Sequence, residues 1–387
     1  MARAVSLYLR VHQPWRIRPY GIFDVAARHD YFAGTGQYDN AALFRRVAER
    51  SYLPMNRLLM KLLTEHSGFR LSLSVSGSFV EQAEQFAPEV LASFQELVAI
   101  GKVELLATPY DSSLAFFYSR PEFERQMQAH RRMVQRVFGV QPRVVANTEL
   151  AYDNELAAWA EEAGYDGVLA EGWDPILQWR SPNFVYRPAG TNAIRLLLRN
   201  YRLSDDIAMR FSDRNWKAWP LTAEAYMSWL QEAPGSVVVL GMDYETFGEH
   251  QWRDSGIFQF FEQVVARWTD GGRRFFTASE ALTLEKPVGE ISMPSAVSWS
   301  GGERDMSAWC GDALQQEALR TVYGLEEQVL ASGDATLVAD WRKLLASDHT
   351  RFMSTGRHTD AGPYDSPYDA FLSYMNVMRD MRWRLTR

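Results

Sequence analysis

The chain has 387 residues, 47% of them hydrophobic and 23% charged, which is ordinary for a globular protein with one large domain and an extension. Its formal net charge of -7 and the lack of any basic block argue against nucleic-acid and anionic-membrane partners, and no apolar stretch could cross a bilayer. A single cysteine, Cys310, rules out an internal disulfide and suits a reducing, cytoplasmic setting.

The first residues lack the long apolar run of a signal peptide and read instead as the approach to a strand over 4–11. Pro14 stops that strand and leaves His12 and Trp15 at its C-terminal mouth. Segment 16–37 is aromatic and basic and reads as a long loop over one end of the fold, followed by a helix over 41–65. Leu71, Leu73 and Val75 alternate with serines as a strand does, and Glu81 follows among polar groups. Glu81 serves equally well as an early-turn helix acid. A third strand over 102–107 leads to Asp111, and a helix over 121–138 opens at Pro121 and closes at Gly139, with His130 on its face.

A short strand over 143–146 is followed by Glu149 and by a helix that Asp153 or Asn154 caps and Gly164 ends. Further strands over 167–170 and 193–198 lead to Glu171, Trp173 and Asp174, and to Arg199, Tyr201, Asp205 and Asp206. The clearest strand, over 237–242, is β-branched and stops at Asp243, Tyr244, Glu245, Phe247, Glu249 and His250. Tyr244, Phe247 and Trp252, interleaved with these acids, make a plain solvated turn the poorer reading. A last strand falls over 274–277.

Seven or eight short strands, separated by helices and ending in acids or aromatics, predict parallel β/α units closed into a barrel with one chemical mouth. An open doubly wound sheet is the alternative, but no Gly-x-Gly-x-x-Gly or phosphate loop is present. Beyond Leu284 prolines, serines and glycines mark a linker, and three helices are expected over 308–332, 335–352 and 368–385. The expected division is a catalytic barrel over 1–285 and a C-terminal helical domain over 286–387 that lends one loop to the site. That loop holds Trp299, Glu303, Arg304 and Asp305, a mix suited to a sugar-contacting lid or to an interdomain salt-bridge knot.

Glu149 and Asp243, each just past a strand, are the minimum set for glycosidic cleavage, one ionised and one protonated. Pattern alone does not say which is which, and Glu81, Glu171, Asp206 and Glu245 remain other candidates. With 13 Trp and 17 Tyr the chain is also rich in side chains that stack on sugar rings. A metal-dependent hydrolase using His12, Asp243 and His250 is the competing reading. It lacks a His-x-x-x-His pair, a His-Glu-x-x-His motif and any cysteine set, so neither a metal nor another cofactor is expected.

Five ordered segments resemble glycoside hydrolase family 57 and its α-amylase group. They are His12-Gln13-Pro14, Gly77 to Gln82, Asn147 to Tyr152, Met242 to Trp252, and Ser298-Trp299 with Glu303 to Trp309. Leu196 to Asp206 is similar to that group as well. The resemblance implies an irregular seven-stranded (β/α) barrel followed by a helical domain, and a retaining, metal-independent mechanism on α-1,4-glucans. Glu149 would be the nucleophile and Asp243 the general acid/base, with carboxyl groups roughly 5–5.5 Å apart. His12, Glu81 and Trp299 fall in segments that line the family's substrate groove. Trp15, Trp173, Asp206, His250, Glu303 and Asp305 complete the expected contacts to an α-glucan or maltooligosaccharide. The chain departs from the family pattern at 108–114, at Ser300-Gly301-Gly302, and at the glycine-rich 354–363, which reads as a mobile loop. A 4-α-glucanotransferase or branching transglycosylase on the same residues, and a non-catalytic glucan-binding protein, are the alternatives.

Overall fold

The computed structural model describes residues 4–356 and 361–387; four residues of the loop expected over 354–363 lie outside them. In chain order the strands are β1 (Ala4–Val11), β2 (Leu71–Val75), β3 (Val103–Leu105), β4 (Val144–Val145), β5 (Gly167–Glu171), β6 (Arg187–Pro188), β7 (Arg195–Arg199), β8 (Val237–Asp243), β9 (Arg274–Phe276) and β10 (Glu290–Ile291). Seven lie side by side, all parallel, in the order β3-β2-β1-β8-β7-β5-β4. The row curls until its ends meet, where Ala107 pairs in parallel with Val145. The Ala107 amide donates to Val144 O and its carbonyl accepts from the Ala146 amide, both at 2.9 Å. The barrel is irregular at two places. β7 and β8 share one register pair, Arg199 with Val239. β9 wedges beside the lower half of β1, pairing Ala4–Ser6, while β2 takes Tyr8–Val11.

The period-2 alternation of strands decides what faces the interior. In β1, Val5, Leu7, Leu9 and Val11 pack outward against helices, whereas Ala4 and Tyr8 join Val237 and Val239 of β8, Leu169 of β5 and Leu197 of β7 inside the barrel. Continuing the alternation, the last inward positions of β1, β8, β7 and β5 are Arg10, Asp243, Arg199 and Glu171. The serines of β2 are inward too; Ser74 bonds Tyr8 at 2.7 Å.

The helix expected over 41–65 is continuous but changes pitch: Asn40–Val47 is α, Ala48–Tyr52 is a π turn and Leu53–Glu65 is α again. Pro54 supplies no amide for the ladder, and the wider turn before it absorbs the lost bond. Ser119 caps helix Arg120–Phe138 and Gly139, at φ 73°, ends it in the left-handed conformation glycine favours. Asp153, not Asn154, caps the helix after Glu149. His130, read as a helix-face residue, is fully buried and bonds Val75 O at 3.0 Å, so it pins its helix to β2.

The C-terminal expectation needs correction. Instead of three helices the described residues form six: Ser307–Cys310, Ala313–Tyr323, Glu326–Ala331, Ala335–Leu344, Ser347–Phe352 and Pro367–Leu385. Asp312 and Gln315 form a reciprocal capping box that starts a new helix after Gly311. Ala346 is extended and pairs with Ser113, and the Ser347 amide donates to Ser112 O at 3.0 Å. The break at Leu345-Ala346 therefore serves contact with the loop after β3. Segment 16–37 does not simply cover the barrel: Ile17, Tyr20 and Tyr31 are buried in a common core with Trp341, Tyr374, Val377 and Met381.

Candidate active site

The inward residues at the strand tops open on a cavity of about 450 Å³ whose walls include Arg10, Glu149, Asp243, His250, Trp299 and Asp348. Glu149 and Leu150 both take left-handed backbone conformations, with φ of 57° and 48°. Such conformations cost non-glycine residues of order 1–3 kcal/mol each and persist only where surroundings enforce them. Here Trp299 grips Glu149 twice. Its amide donates to Glu149 O at 3.2 Å, and its indole Nε1 donates to Glu149 Oε2 at 2.7 Å.

Arg10 Nη1 lies 2.8 Å from Glu149 Oε1 and 3.3 Å from Asp243 Oδ1, so these two oxygens are at most the sum of those distances, 6.1 Å, apart. Arg10 Nη2 donates to Ser112 Oγ at 3.0 Å, which fixes the plane of the guanidinium. Burial pushes the Glu149 carboxyl above the ordinary carboxylate range; Arg10 and the Trp299 indole oppose the shift, while Asp243 and Asp348 add to it. The Asp243 side chain is 36% exposed against 11% for Glu149. The two acids thus differ in surroundings: Glu149 is enclosed and meets a donor on each oxygen, while Asp243 faces the open cavity.

The loop carrying Trp299 is held by a buried ionic knot. Arg199 bonds Glu171 at 2.8 Å and Asp205 at 2.5 Å; Arg304 bonds Glu171 at 3.1 Å, Asp205, and the Trp299 carbonyl. The salt-bridge reading of segment 298–305 describes this knot, which positions the residue that contacts Glu149.

The expected contacts divide. His250 and Trp299 line the cavity. His12 stands behind it, with Nε2 2.9 Å from Asp348 Oδ2 and Nδ1 2.8 Å from Ser76 Oγ. Trp15 and Glu81 do not line it. Trp15 Nε1 donates to Glu81 Oε2 at 3.3 Å and Tyr110 donates to Glu81 Oε1 at 2.9 Å, and Glu81 faces a separate cavity of about 370 Å³ beside helix Arg120–Phe138. Trp173 packs on an apolar cluster and Asp206 pairs with Arg210 at 2.7 Å. Glu303 and Asp305 are exposed, Asp305 accepting from the Ser307 amide. Of the other acids, Glu171 is spent in the knot and Glu245 accepts from Tyr52. Tyr244 and Phe247 are buried as their chemistry demands, but Trp252 is 66% exposed. Among the described residues no three His, Cys, Asp or Glu side chains form a metal site. Arg10 and Asp348 were not anticipated. Strand alternation from Tyr8 pointed to Arg10; no local signal marked Asp348, which depends on the helix break at Ala346.

A parallel β/α barrel with two carboxylates bracketing an arginine at its C-terminal mouth is the architecture of a carbohydrate-cleaving enzyme. Residues 6–294 match the profile of glycosyl hydrolase family 57, and the chain belongs to that family. It is 36% identical, over 98% of its length and 84% of the relative, to a Methanocaldococcus jannaschii protein provisionally named an alpha-amylase. It is 23% identical to the 4-alpha-glucanotransferase of Thermococcus litoralis, over 74% of this chain and 43% of that one. Its fold is similar to that of a family 57 branching enzyme from Pyrococcus horikoshii, with a TM-score of 0.70, 17% identity and coverage of 98% and 88%. No helix of the described residues is long and apolar enough to cross a membrane.

Proposed function

We propose that the protein is a retaining hydrolase of α-1,4-glucans, of the α-amylase type, with Glu149 as nucleophile and Asp243 as general acid/base. The observation that carries this is the shared contact of both acids with Arg10 Nη1. One guanidinium nitrogen touching both acids keeps those two oxygens within 6.1 Å of each other, in keeping with the close pair, roughly 5–5.5 Å between carboxyl groups, of a retaining enzyme. Glu149 receives a donor on each oxygen, which favours its charged form. In the first step it bonds to the sugar C1 while Asp243 gives its proton to the departing glycosidic oxygen. In the second step Asp243 takes a proton from water, which attacks C1 and frees Glu149. The substrate is an α-glucan or maltooligosaccharide, and the lone Cys310 fits a cytoplasmic setting.

Product analysis on a defined maltooligosaccharide tests this. Shorter sugars with matching new reducing ends are expected, and Glu149→Ala should lose several orders of magnitude in turnover. Azide should partly restore that variant on an activated substrate; wild-type activity in Glu149→Ala would sink the assignment. A transglycosylase reading is favoured by one feature, the apolar wall of Met209, Met242, Trp299, Trp309 and Phe352, which could seat an acceptor sugar and keep water out. Longer products alongside shorter ones, with little gain in reducing ends, would move the assignment there.

A further inference from the structure

The cavity contains a third carboxylate, Asp348, and the barrel does not supply it. It comes from Ser347–Phe352, the short helix that begins where Ala346 and Ser347 pair with the loop after β3. Its Oδ2 accepts from His12 Nε2 at 2.9 Å. That bond leaves His12 Nδ1 to meet Ser76 Oγ, which in turn accepts from the Phe79 amide as a helix cap. His12 is thereby locked from both sides, and it holds Asp348 in one orientation. Asp348 lines the cavity with a side chain 22% exposed, and the bond from His12 engages its Oδ2. A carboxylate accepts through both oxygens, so one fixed by His12 at the wall of a sugar-cleaving cavity keeps capacity to accept sugar hydroxyls.

We propose that Asp348, held by His12, is a substrate-binding residue of the catalytic cavity that accepts hydroxyls of the sugar bound beside Glu149. The inference rests on the α-glucan reading above. The charged and titratable groups around Asp348 include His12, Arg10 and Arg16 from β1 and the segment after it, His349 on its own helix, and Glu149 across the cavity. Burial alone would raise the Asp348 carboxyl, but His12, Arg10 and His349 hold it well below the usual carboxylate range, so it is charged when Glu149 titrates. Glu149 sees Arg10 against it and Asp243 and Asp348 beside it, so removing the Asp348 charge makes ionisation of Glu149 easier.

The test compares wild type, Asp348→Asn and Asp348→Ala on an aryl maltooligosaccharide across pH, with maltotriose binding measured by calorimetry in a Glu149→Ala background. Asp348→Asn keeps an oxygen for His12 and loses only the charge, so it should fold where Asp348→Ala does not. KM should rise and maltotriose affinity fall by at least tenfold, in line with loss of a charge-assisted hydrogen bond. The acid limb of kcat/KM should move to lower pH, a change that simple loosening of the helix would not produce. An Asp348→Asn enzyme with unchanged KM, affinity and acid limb overturns the proposal while the α-glucan reading stands. A wild type with neither turnover nor binding of any α-1,4-glucan overturns that reading, and this inference with it.

Discussion

Glu149, the proposed nucleophile, shows how neighbours hold one carboxylate in place. Its left-handed backbone, its burial and its two donors are each restrictive in isolation, and together they fix its carboxyl group in the cavity. The Trp299 indole stabilises the charged carboxylate, so Trp299→Phe should raise the pKa of Glu149 further. With Glu149 as the proposed nucleophile, activity requires its ionised form, so the acid limb of kcat/KM should shift to higher pH, opposite to the shift expected for Asp348→Asn. The lost hydrogen bond to a charged group, about 1.5–3 kcal/mol, should cost roughly tenfold to a hundredfold in rate. An unmoved acid limb would show that the indole does not act on Glu149 electrostatically. Glu245 illustrates the other fate of a buried acid. Burial, with Asp243 nearby, raises its pKa to about 8. An unfolded Glu titrates near 4.3, so the native protein holds a proton that the unfolded chain gives up. Stability from this group is full below about pH 4 and is lost as pH rises towards 8. Glu245→Gln, which still accepts from Tyr52, should therefore gain melting temperature relative to wild type between pH 5 and 8 and run parallel to it below pH 4. Parallel curves across the whole range would place the titration elsewhere.

At the scale of elements, the strands and most caps were legible because each depends on local pattern: alternation in β2, the β-branched run of β8, Pro121 and Gly139 around one helix. The same alternation, carried one step further, identifies the polar crown of Arg10, Asp243, Arg199 and Glu171. What local pattern could not show was the breaking of the C-terminal helices, because helix 335–352 is interrupted by pairing with Ser112 and Ser113, more than two hundred residues away. Asp348 was hidden by the same long-range event. Trp15 and Glu81 were drawn to the site by their position after strands, yet they bond each other beside it. The knot of Arg199, Arg304, Glu171 and Asp205 is an element-level device, since it fixes the Trp299 loop on β5 and β7. Removing one partner of a buried pair costs roughly 3–5 kcal/mol, because it strands a charge. Arg304→Met should approach that loss in denaturant unfolding and should lower kcat/KM even where the protein is fully folded, by freeing Trp299. Adding Glu171→Gln should recover part of the stability, as coupled partners require. An additive double variant would mean that Glu171 and Arg304 do not interact.

For the molecule as a whole, the question is whether the barrel and the C-terminal helices are separable. One core argues that they are not. Ile17, Tyr20 and Tyr31, which follow β1 directly, are buried with Trp341, Tyr374, Val377 and Met381 from the far end of the chain. Asp380 ties the two ends: it is fully buried, accepts from the Ala26 amide and the Tyr31 hydroxyl at 2.6 Å each, and pairs with Arg384 at 2.6 Å. The C-terminal helices also supply Trp309, Asp348 and Phe352 to the cavity, so loosening them should disturb the site as well as the fold. Asp380→Ala leaves the buried Tyr31 hydroxyl without its acceptor, at about 1–3 kcal/mol, and also strands the Ala26 amide and the half-buried Arg384 guanidinium, which water can partly satisfy. Because both chain ends share that core, the loss should appear as one calorimetric transition at lower temperature, with activity and tertiary signal lost together. Two resolved transitions, the first releasing the helices while the barrel survives, would show that the shared core does not couple them and that Asp348 reaches the cavity from an independently folding unit.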